Sequence, residues 1–294
     1  MKNINITSIS FNPENINFEE IKKIIALEAK KETNIILLPE FWTGQNDYSM
    51  ESLEGNTINY LKHISKTTNT YIISPMDRVF NNKRFNTIVF IGDNGEIIDS
   101  YDKYYPYWSE YEHNLPVSPG NEVKVVKTNI GNFGLATCFD VNFPEIWEKL
   151  ASMKSDIVFW PSAYSAGNSL KAHALNHHYY IVTSTHDCDC QVFDIDGNKI
   201  LDEHTDNINI SNFNLNLNRK IFHENFNLSQ KDKLLKDYKN QIILENYMSR
   251  EQWFILDCIN VELDLSELAK EYDLEELRDY KIRSKFEIDK LRLI

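Results

Sequence analysis

The chain of 294 residues has little cysteine, a shortage of basic charge and no long apolar run, and each shortage excludes a class of protein. Four cysteines are too few for a secreted scaffold held together by disulfides, so we expect a reducing compartment. No apolar run approaches the ~20 residues that a helix needs to cross a bilayer. The opening segment MKNINITSIS also lacks the apolar core of a signal peptide. We therefore expect a soluble protein of the cytoplasm.

The charge balance argues against two kinds of partner. The chain has 31 basic and 44 acidic side chains, which gives a formal net charge of −13. A nucleic acid or an anionic membrane would require a basic face on the protein, so we expect neither as a partner. The length allows one large domain or two small ones, and an α/β domain of this size can bury a sizeable core.

Short apolar runs alternate with segments of helical periodicity along most of the chain. The opening part predicts a strand over 4–11, a helix over 18–31 and a buried strand over 34–39. An Asn-Gly pair at 94–95 lies between apolar runs and predicts a hairpin. Residues 207–218 alternate polar with apolar side chains, as a strand with one buried face does. Interleaved helices and strands predict an α/β class with antiparallel hairpins at the margins.

The last part of the chain is charged and helical in its composition. Asp264 and Glu267 have the spacing of a capping box, and an apolar stripe follows them. The sequence thus predicts one domain over 1–261 and a helical tail over 262–294. The tail must pack on its own domain or on a second subunit. We expect it to help join subunits in a homodimer or a larger homo-oligomer.

Two charged residues follow apolar strands, where α/β proteins usually collect their sites. Glu40 comes directly after the buried run 34–39, and apolar surroundings are expected to raise its pKa toward the range of a general base. Lys103 stands among aromatic residues, where a carboxylate would fix its ammonium for the stabilisation of an oxyanion. Taken singly, an exposed loop glutamate and a surface lysine lying over aromatic rings are the plainer interpretations.

Cys138 has the placement of an exposed nucleophile. It ends an apolar strand of small residues and lies in a sharp turn before a helix that Pro144 opens. A nearby lysine or a helix N-terminus would stabilise the reactive thiolate. Taken alone, a buried cysteine is more often a small hydrophobic residue.

The order and spacing of these residues resembles the nitrilase or carbon–nitrogen hydrolase superfamily over roughly residues 1–225. The matching features are Glu40 after a strand and a proline, Lys103 further along, and the turn Cys138-Phe-Asp-Val-Asn-Phe-Pro-Glu. Pro161-Ser-Ala after an apolar strand is also similar to the family. The resemblance implies an αββα sandwich of four layers, in which two mixed β-sheets pack face to face with helices outside, here with a C-terminal helical extension.

The resemblance also implies a role for each residue. Glu40 would be the general base, Lys103 the cation that stabilises the oxyanion, and Cys138 the nucleophile. The family often uses a second glutamate to orient the lysine or the substrate; Glu110 fits the pattern K-x-x-P-x-x-x-E, and Glu112 stays open as the alternative. The implied reaction is hydrolysis of a non-peptide C–N bond through a cysteine thioester. The substrate would be a small amide or carbamoyl-amine, with a nitrile as a further alternative, and no metal or organic cofactor is needed.

Two other functions use the same residues or the same fold. An acyltransferase would pass the thioester to an amine instead of water. A binding protein without catalytic activity would keep the fold, but the presence of all three residues argues against it because a site that has lost its function is expected to lose at least one. Release of ammonia by the wild type, absent in Glu40→Gln, would argue against the binding protein, and capture of the product by added amines would indicate the acyltransferase.

Further contacts with a substrate are expected near these residues. The backbone N–H of Phe139 would complete the oxyanion site. Phe41, Trp42, Trp160 and Tyr164 suggest an aromatic wall of the pocket, although aromatic residues beside core strands more often belong to the core. All five residues stand next to a strand end or to the cysteine turn.

His186, Cys188 and Cys190 carry soft ligand atoms at alternating positions. On a strand all three would share one face. A structural zinc site usually needs a fourth ligand and a wider spacing between its cysteines, and this segment has neither. We therefore expect no metal there.

Overall fold

The computed structural model describes residues 3–44, 49–112, 114–225 and 227–292. These residues form two compact units, Ile4–Leu215 and the part from Asn216 onward. All residues singled out above as site candidates lie in the first unit. The division into domains at 261 and 262 stays a prediction, which truncation of the chain would test. Within the described ranges, no helix has an apolar stretch that would span a bilayer.

One sheet of the first unit is mixed and has six strands. The strands are β1 (Asn3–Phe11), β2 (Ile35–Leu37), β3 (Tyr71–Phe80), β4 (Lys83–Ile91), β5 (Ile97–Asp102) and β12 (Ile208–Asn216). Their order is β12-β1-β2-β3-β4-β5, with β1, β2 and β3 parallel and β4 and β5 antiparallel. Helices α1 (Phe18–Glu28) and α2 (Asn56–Thr68) cover one face, where their buried isoleucine and leucine side chains pack against Ile36 and Ile72.

The second sheet of this unit is also mixed and has six strands. They are β6 (Lys124–Lys127), β7 (Asn132–Leu135), β8 (Ile157–Ser162), β9 (Tyr180–Thr185), β10 (Asp189–Phe193) and β11 (Lys199–His204). Their order is β11-β10-β9-β8-β7-β6, and β7, β8 and β9 are parallel. Helices α3 (Pro144–Ser152) and α4 (Gly167–His177) cover the outer face, where Trp147 and Leu170 are fully buried.

The two sheets face one another. Ser184 Oγ of β9 donates a hydrogen bond of 2.8 Å to the carbonyl of Ile9 in β1. The rings of Phe90 in β4 and Phe133 in β7 stack with their centroids 5.8 Å apart. With a pair of helices outside each sheet, the unit is the αββα sandwich that the family resemblance implies, so that prediction is confirmed.

The second unit has a small antiparallel sheet of its own. It consists of β13 (Arg219–His223), β14 (Ile242–Met248) and β15 (Trp253–Cys258) in the order β13-β15-β14, accompanied by helices α5 (Leu228–Asp237), α6 (Leu265–Glu271) and α7 (Leu277–Arg292). The predicted helical extension is confirmed in α6 and α7, and Asp264 Oδ1 caps α6 by accepting a hydrogen bond of 2.9 Å from the Ser266 N–H. The sheet was not predicted, because β14 is largely exposed and so lacks an apolar alternation.

Candidate active site

Five strand ends converge on one pocket of about 310 Å³. Glu40 lies three residues after β2, Lys103 directly follows β5, and Cys138 lies three residues after β7. Ala163 and His186 directly follow β8 and β9. Four of these strands run parallel to a neighbour, and the carboxyl ends of such strands open toward the same edge of the sandwich. As a result, residues that are far apart in the sequence line a single cavity.

Lys103 lies between two glutamates. Its Nζ donates hydrogen bonds to Glu40 Oε1 at 2.9 Å and to Glu110 Oε2 at 2.7 Å. The three side chains are nearly buried, with 1%, 2% and 4% of the surface of Lys103, Glu40 and Glu110 exposed. Glu112, the alternative second glutamate, is exposed. Glu110 is therefore the glutamate that contacts the lysine.

The backbone of Lys103 is held on both sides. Its N–H donates to the carbonyl of Asn86 in β4 at 2.8 Å, and its own carbonyl accepts from the Gly120 N–H at 2.8 Å. A Cβ atom at Gly120 would lie 2.0 Å from the carbonyl oxygen of Asp102. Only glycine therefore allows the chain to pass this close, and the ammonium is aimed by a fixed backbone.

All four carboxylate oxygens of Glu40 and Glu110 accept hydrogen bonds from groups other than Lys103. Asn86 Nδ2 donates to Glu40 Oε1 at 2.7 Å and to Glu110 Oε1 at 3.0 Å. The Ala163 N–H donates to Glu40 Oε2 at 2.9 Å, and the Tyr107 N–H donates to Glu110 Oε2 at 2.6 Å. Hydrogen bonds of this kind favour the ionised form of a buried carboxyl group.

Cys138 is the first residue of a short 3-10 helix and has a left-handed backbone, with φ of 46°. A left-handed residue other than glycine costs ~1–2 kcal/mol, and such strain is typical of active sites. Its carbonyl accepts a hydrogen bond of 3.1 Å from Trp160 Nε1. The first hydrogen bond within this helix runs from the Asp140 N–H to the carbonyl of Thr137. The N–H of Phe139 precedes it and has no acceptor inside the helix.

Asp140 connects the cysteine turn to the segment that carries Lys103. Its carboxylate accepts hydrogen bonds from the Tyr101 hydroxyl at 2.6 Å, the Thr137 N–H at 2.9 Å and the Tyr105 N–H at 2.9 Å. Burial raises the pKa of Asp140 to about 6, although these hydrogen bonds and Lys103 act in the opposite direction. Burial and the Asp140 charge also hold the pKa of Tyr101 well above its usual value. The two segments are thereby fixed relative to each other.

The charges at the pocket depend on these contacts. Burial acts to raise the pKa of Glu40, but the Lys103 charge and the hydrogen bonds together hold that pKa below its usual 4.5. Burial opposes the charge on Lys103, yet Glu40, Cys138 and Glu110 raise its pKa well above 10.5. Burial and the Glu40 charge raise the pKa of the Cys138 thiol to about 12. The expected rise in the Glu40 pKa is therefore wrong, because an ammonium lies at hydrogen-bond distance.

The aromatic residues of the expected wall lie mainly outside the pocket. Trp42 is 2% exposed and donates from Nε1 to Ser74 Oγ at 2.9 Å, and Trp160 is fully buried under Cys138. Tyr164 packs edge-on against Trp160 and is partly exposed. Among the described residues, the pocket takes its aromatic surface from Phe41 and Tyr107.

Three residues around the pocket were not predicted from the sequence. Asn86 lies in the polar first half of β4, near Arg84 and Thr87, so the composition of the strand does not single it out. His186 directly follows β9, as Lys103 follows β5, and lines the pocket. Asp140 stands in the cysteine motif, but its partners come from a segment some way back along the chain. In the described part of the chain, no group of acidic, histidine and cysteine side chains is placed to hold a metal ion.

Comparison with known proteins gives four findings, three from sequence and one from structure. The family model described as carbon-nitrogen hydrolase matches residues 9–219. "Hydrolase C26A3.11" of Schizosaccharomyces pombe is 27% identical over 166 residues, 52% of this chain and 51% of that protein, so the chain spans about half of that relative's length. Deaminated glutathione amidase of Dictyostelium discoideum is 26% identical over 219 residues, 63% of this chain and 74% of that protein.

A solved structure with the same fold is a double mutant of the amidase from Nesterenkonia sp. AN1 in complex with acrylamide. It superposes with a TM-score of 0.62 at 17% sequence identity, over 72% of this chain and 91% of that one.

Proposed function

The chain belongs to the carbon–nitrogen hydrolase family, and from that premise we propose that it hydrolyses a non-peptide C–N bond of a small amide. The observation that carries this proposal is the pocket in which a buried ammonium, held by two carboxylates, shares the lining with the Cys138 thiol. In such an arrangement Cys138 is the nucleophile and Glu40 is the base that activates it. The amidases among the relatives, one of them bound to acrylamide, support an amide as the substrate.

In the first half of the reaction, Glu40 takes the proton of the Cys138 thiol while the sulfur attacks the carbonyl carbon of the amide. The oxygen becomes an oxyanion, which the Lys103 ammonium and the Phe139 N–H stabilise. As the tetrahedral intermediate collapses, Glu40 returns its proton to the leaving nitrogen. The C–N bond breaks, ammonia or an amine departs, and the acyl group stays on sulfur as a thioester.

In the second half, the same carboxylate activates water. Glu40 accepts a proton from the water molecule as its oxygen attacks the thioester carbonyl, and Lys103 again stabilises the oxyanion. The C–S bond breaks and the proton returns to the sulfur of Cys138. The products are a carboxylic acid and ammonia or an amine, and the net reactant consumed besides the amide is one water. General acid–base help of this kind is worth ~10²–10⁴ in rate.

The charge of the pocket predicts which amides are accepted. Its described lining contains three carboxylates, Glu14, Glu40 and Glu110, and Lys103 is its single lysine or arginine. Because both neighbours of Lys103 already neutralise its charge, a carboxylate on the substrate would meet repulsion. We expect butyramide and 4-aminobutyramide to be hydrolysed with kcat/KM values at least about tenfold above that of succinamic acid.

Release of ammonia from these three amides, which have the same chain length, measures the preference and tests the proposed function. If neither these three amides nor any amide of a wider panel releases ammonia, the hydrolase proposal is wrong. A preference for succinamic acid would leave hydrolysis standing and overturn the charge argument. Capture of the acyl group by an added amine, with less free acid formed, would identify acyl transfer instead.

The proton positions predict an unusual pH dependence for alkylation of Cys138. With the pKa of the Cys138 thiol at about 12 and that of Glu40 below 4.5, the reactive pair of thiol and carboxylate persists over the whole neutral range. We expect the rate of inactivation by iodoacetamide to be flat between about pH 6 and pH 9, whereas an unassisted thiol gains about tenfold per pH unit below its pKa.

Mass spectrometry of the Cys138 peptide against pH gives this profile. In Glu40→Gln the carboxylate is gone, and the rate should rise with pH as for an unassisted thiol. A wild-type profile that climbs to a plateau near pH 8.5 would contradict the assignment of Glu40 as the base.

The remaining predictions concern the protein as a whole. We expect a homodimer or a larger homo-oligomer in the cytoplasm. Exposed apolar side chains along α7, among them Phe286 and Leu291, support a role of this helix between subunits.

A further inference from the structure

Asn86 contacts three residues of the site, yet none of the steps above uses it. Its side chain, 1% exposed, donates hydrogen bonds of 2.7 Å to Glu40 Oε1 and 3.0 Å to Glu110 Oε1. Its backbone carbonyl accepts the hydrogen bond of 2.8 Å from the Lys103 N–H. One residue of β4 therefore contacts both carboxylates and the backbone of the ammonium between them.

The two neighbouring carboxylates determine the orientation of the Asn86 amide group. Two carboxylate oxygens accept hydrogen bonds only, so the amide must present its two N–H groups to them. The amide oxygen of Asn86 then points away from the glutamates, where it is buried without a hydrogen-bond partner. A buried polar atom left unpaired costs ~1–3 kcal/mol. The fold bears this cost at the oxygen of the Asn86 amide group, whose nitrogen donates to the candidate base Glu40.

The electrostatics explain why a neutral donor is needed there. Glu40 and Glu110 share one ammonium, so the cluster keeps a net negative charge and the carboxylates repel one another. A second lysine would cancel this charge and draw both carboxylates away from the thiol. The Asn86 amide places a neutral N–H against each carboxylate, which stabilises both anions without adding a charge.

The three contacted residues come from separate parts of the sandwich. Glu40 follows β2, Glu110 lies in a short 3-10 helix over Trp108–Tyr111, and Lys103 follows β5. Asn86 lies in β4, which pairs with both β3 and β5 and is fixed by the sheet. A group anchored in this strand can set the separation of two carboxylates that their own loops do not determine.

We propose that Asn86 is a positioning residue that holds Glu40 and Glu110 on Lys103, with Glu40 turned to accept the proton of Cys138. The inference rests on the proposed role of Glu40 as the base. Asn86 touches no reacting atom and acts through the two glutamates.

Asn86→Leu tests this proposal, since leucine has nearly the same shape and no hydrogen-bond donor. We expect kcat for butyramide to fall about 10²-fold with KM changed less than about threefold. At pH values below the usual Glu40 pKa of 4.5, the iodoacetamide rate should fall as Glu40 takes up a proton. This acid limb of the profile should move to higher pH in the variant, because the hydrogen bond from Asn86 helps to lower the pKa of Glu40. Asn86→Asp should move it further, by about one pH unit or more, since a third carboxylate joins the cluster.

Thr87→Val is the matched control. Thr87 follows Asn86 in β4, is fully buried, and donates a hydrogen bond of 2.6 Å to Asp102 Oδ1. This variant also removes a buried donor to a carboxylate, so an effect of lost stability alone would appear in it as well. We expect its kcat to stay within about twofold of wild type and its acid limb to stay in place.

Two results would overturn the role of Asn86. One is that folded Asn86→Leu and Asn86→Asp both keep the wild-type kcat and acid limb. The other is that Thr87→Val shifts the limb as much as they do. Alkylation of Cys138 requires no turnover, so a shifted limb in an enzyme that hydrolyses no amide would leave the positioning role intact and refute the proposed hydrolysis instead.

Discussion

Replacement of Cys138 by alanine is expected to abolish amide hydrolysis, with kcat lowered at least about 10⁴-fold. The variant keeps the ammonium and both carboxylates, but no atom remains that can form the covalent intermediate. Ammonia release in the steady state measures the loss. The fold should be retained, because alanine removes only the sulfur atom of a side chain at the pocket and leaves no buried charge without its partner.

Cys188→Ala is the matched control for this variant. Cys188 is 7% exposed against 8% for Cys138, and it also has a left-handed backbone, with φ of 57°. Its Sγ contacts the carbonyl of Asn207 at 2.9 Å, and Cys188 is not among the residues that line the pocket. We expect this variant to retain wild-type turnover within about twofold.

Intact-mass measurement during turnover separates the possible outcomes. Wild-type protein mixed with an amide should gain the mass of the acyl group, and Cys138→Ala should not. An adduct of the same mass that persists in Cys138→Ala would show that another residue is the nucleophile.

Replacement of Lys103 by methionine is expected to remove both activity and a large part of the stability. The variant leaves Glu40 and Glu110 buried side by side without their ammonium, and an uncompensated buried charge costs ~3–5 kcal/mol. Turnover should fall at least about 10²–10³-fold because the oxyanion loses its cation. Urea unfolding and ammonia release measure the two effects on the same preparation.

A double variant and an exposed ion pair provide the controls. Lys103→Met combined with Glu110→Gln removes one carboxylate and should recover part of the stability without recovering turnover. Lys290→Met breaks an exposed pair with Glu287, 3.0 Å apart, and should change the free energy of unfolding by roughly 0–1 kcal/mol. A Lys103→Met protein as stable as wild type would contradict the pairing of Lys103 with two ionised carboxylates.

The dependence of stability on pH follows from the same pair. The pKa of Glu40 is lower in the folded chain than its usual 4.5, so its contribution to stability is complete above that value. It is lost as the pH falls through the folded pKa, when Glu40 takes up a proton and its ion pair with Lys103 ends.

Some of the site could be predicted because its signals are local. Glu40, Lys103 and Cys138 each stand at or just past the end of an apolar strand, and a strand is recognisable from a handful of neighbouring residues. The helical tail was likewise visible in its own composition. The small sheet from β13 to β15 was not, since its strand β14 is largely exposed and carries no alternating pattern.

By itself, the sequence determined the α/β class and the family and singled out Glu40, Lys103 and Cys138 as candidates, because apolar periodicity and motif spacing are properties of the chain. Only the tertiary structure decided the charge state of the site. Lys103 and Glu40 are separated by 63 positions, yet their contact of 2.9 Å reverses the pKa shift that burial alone would cause in Glu40. It also decided between Glu110 and Glu112 and brought Asn86 against both carboxylates. Electrostatic energies depend on distance through space, and folding sets that distance.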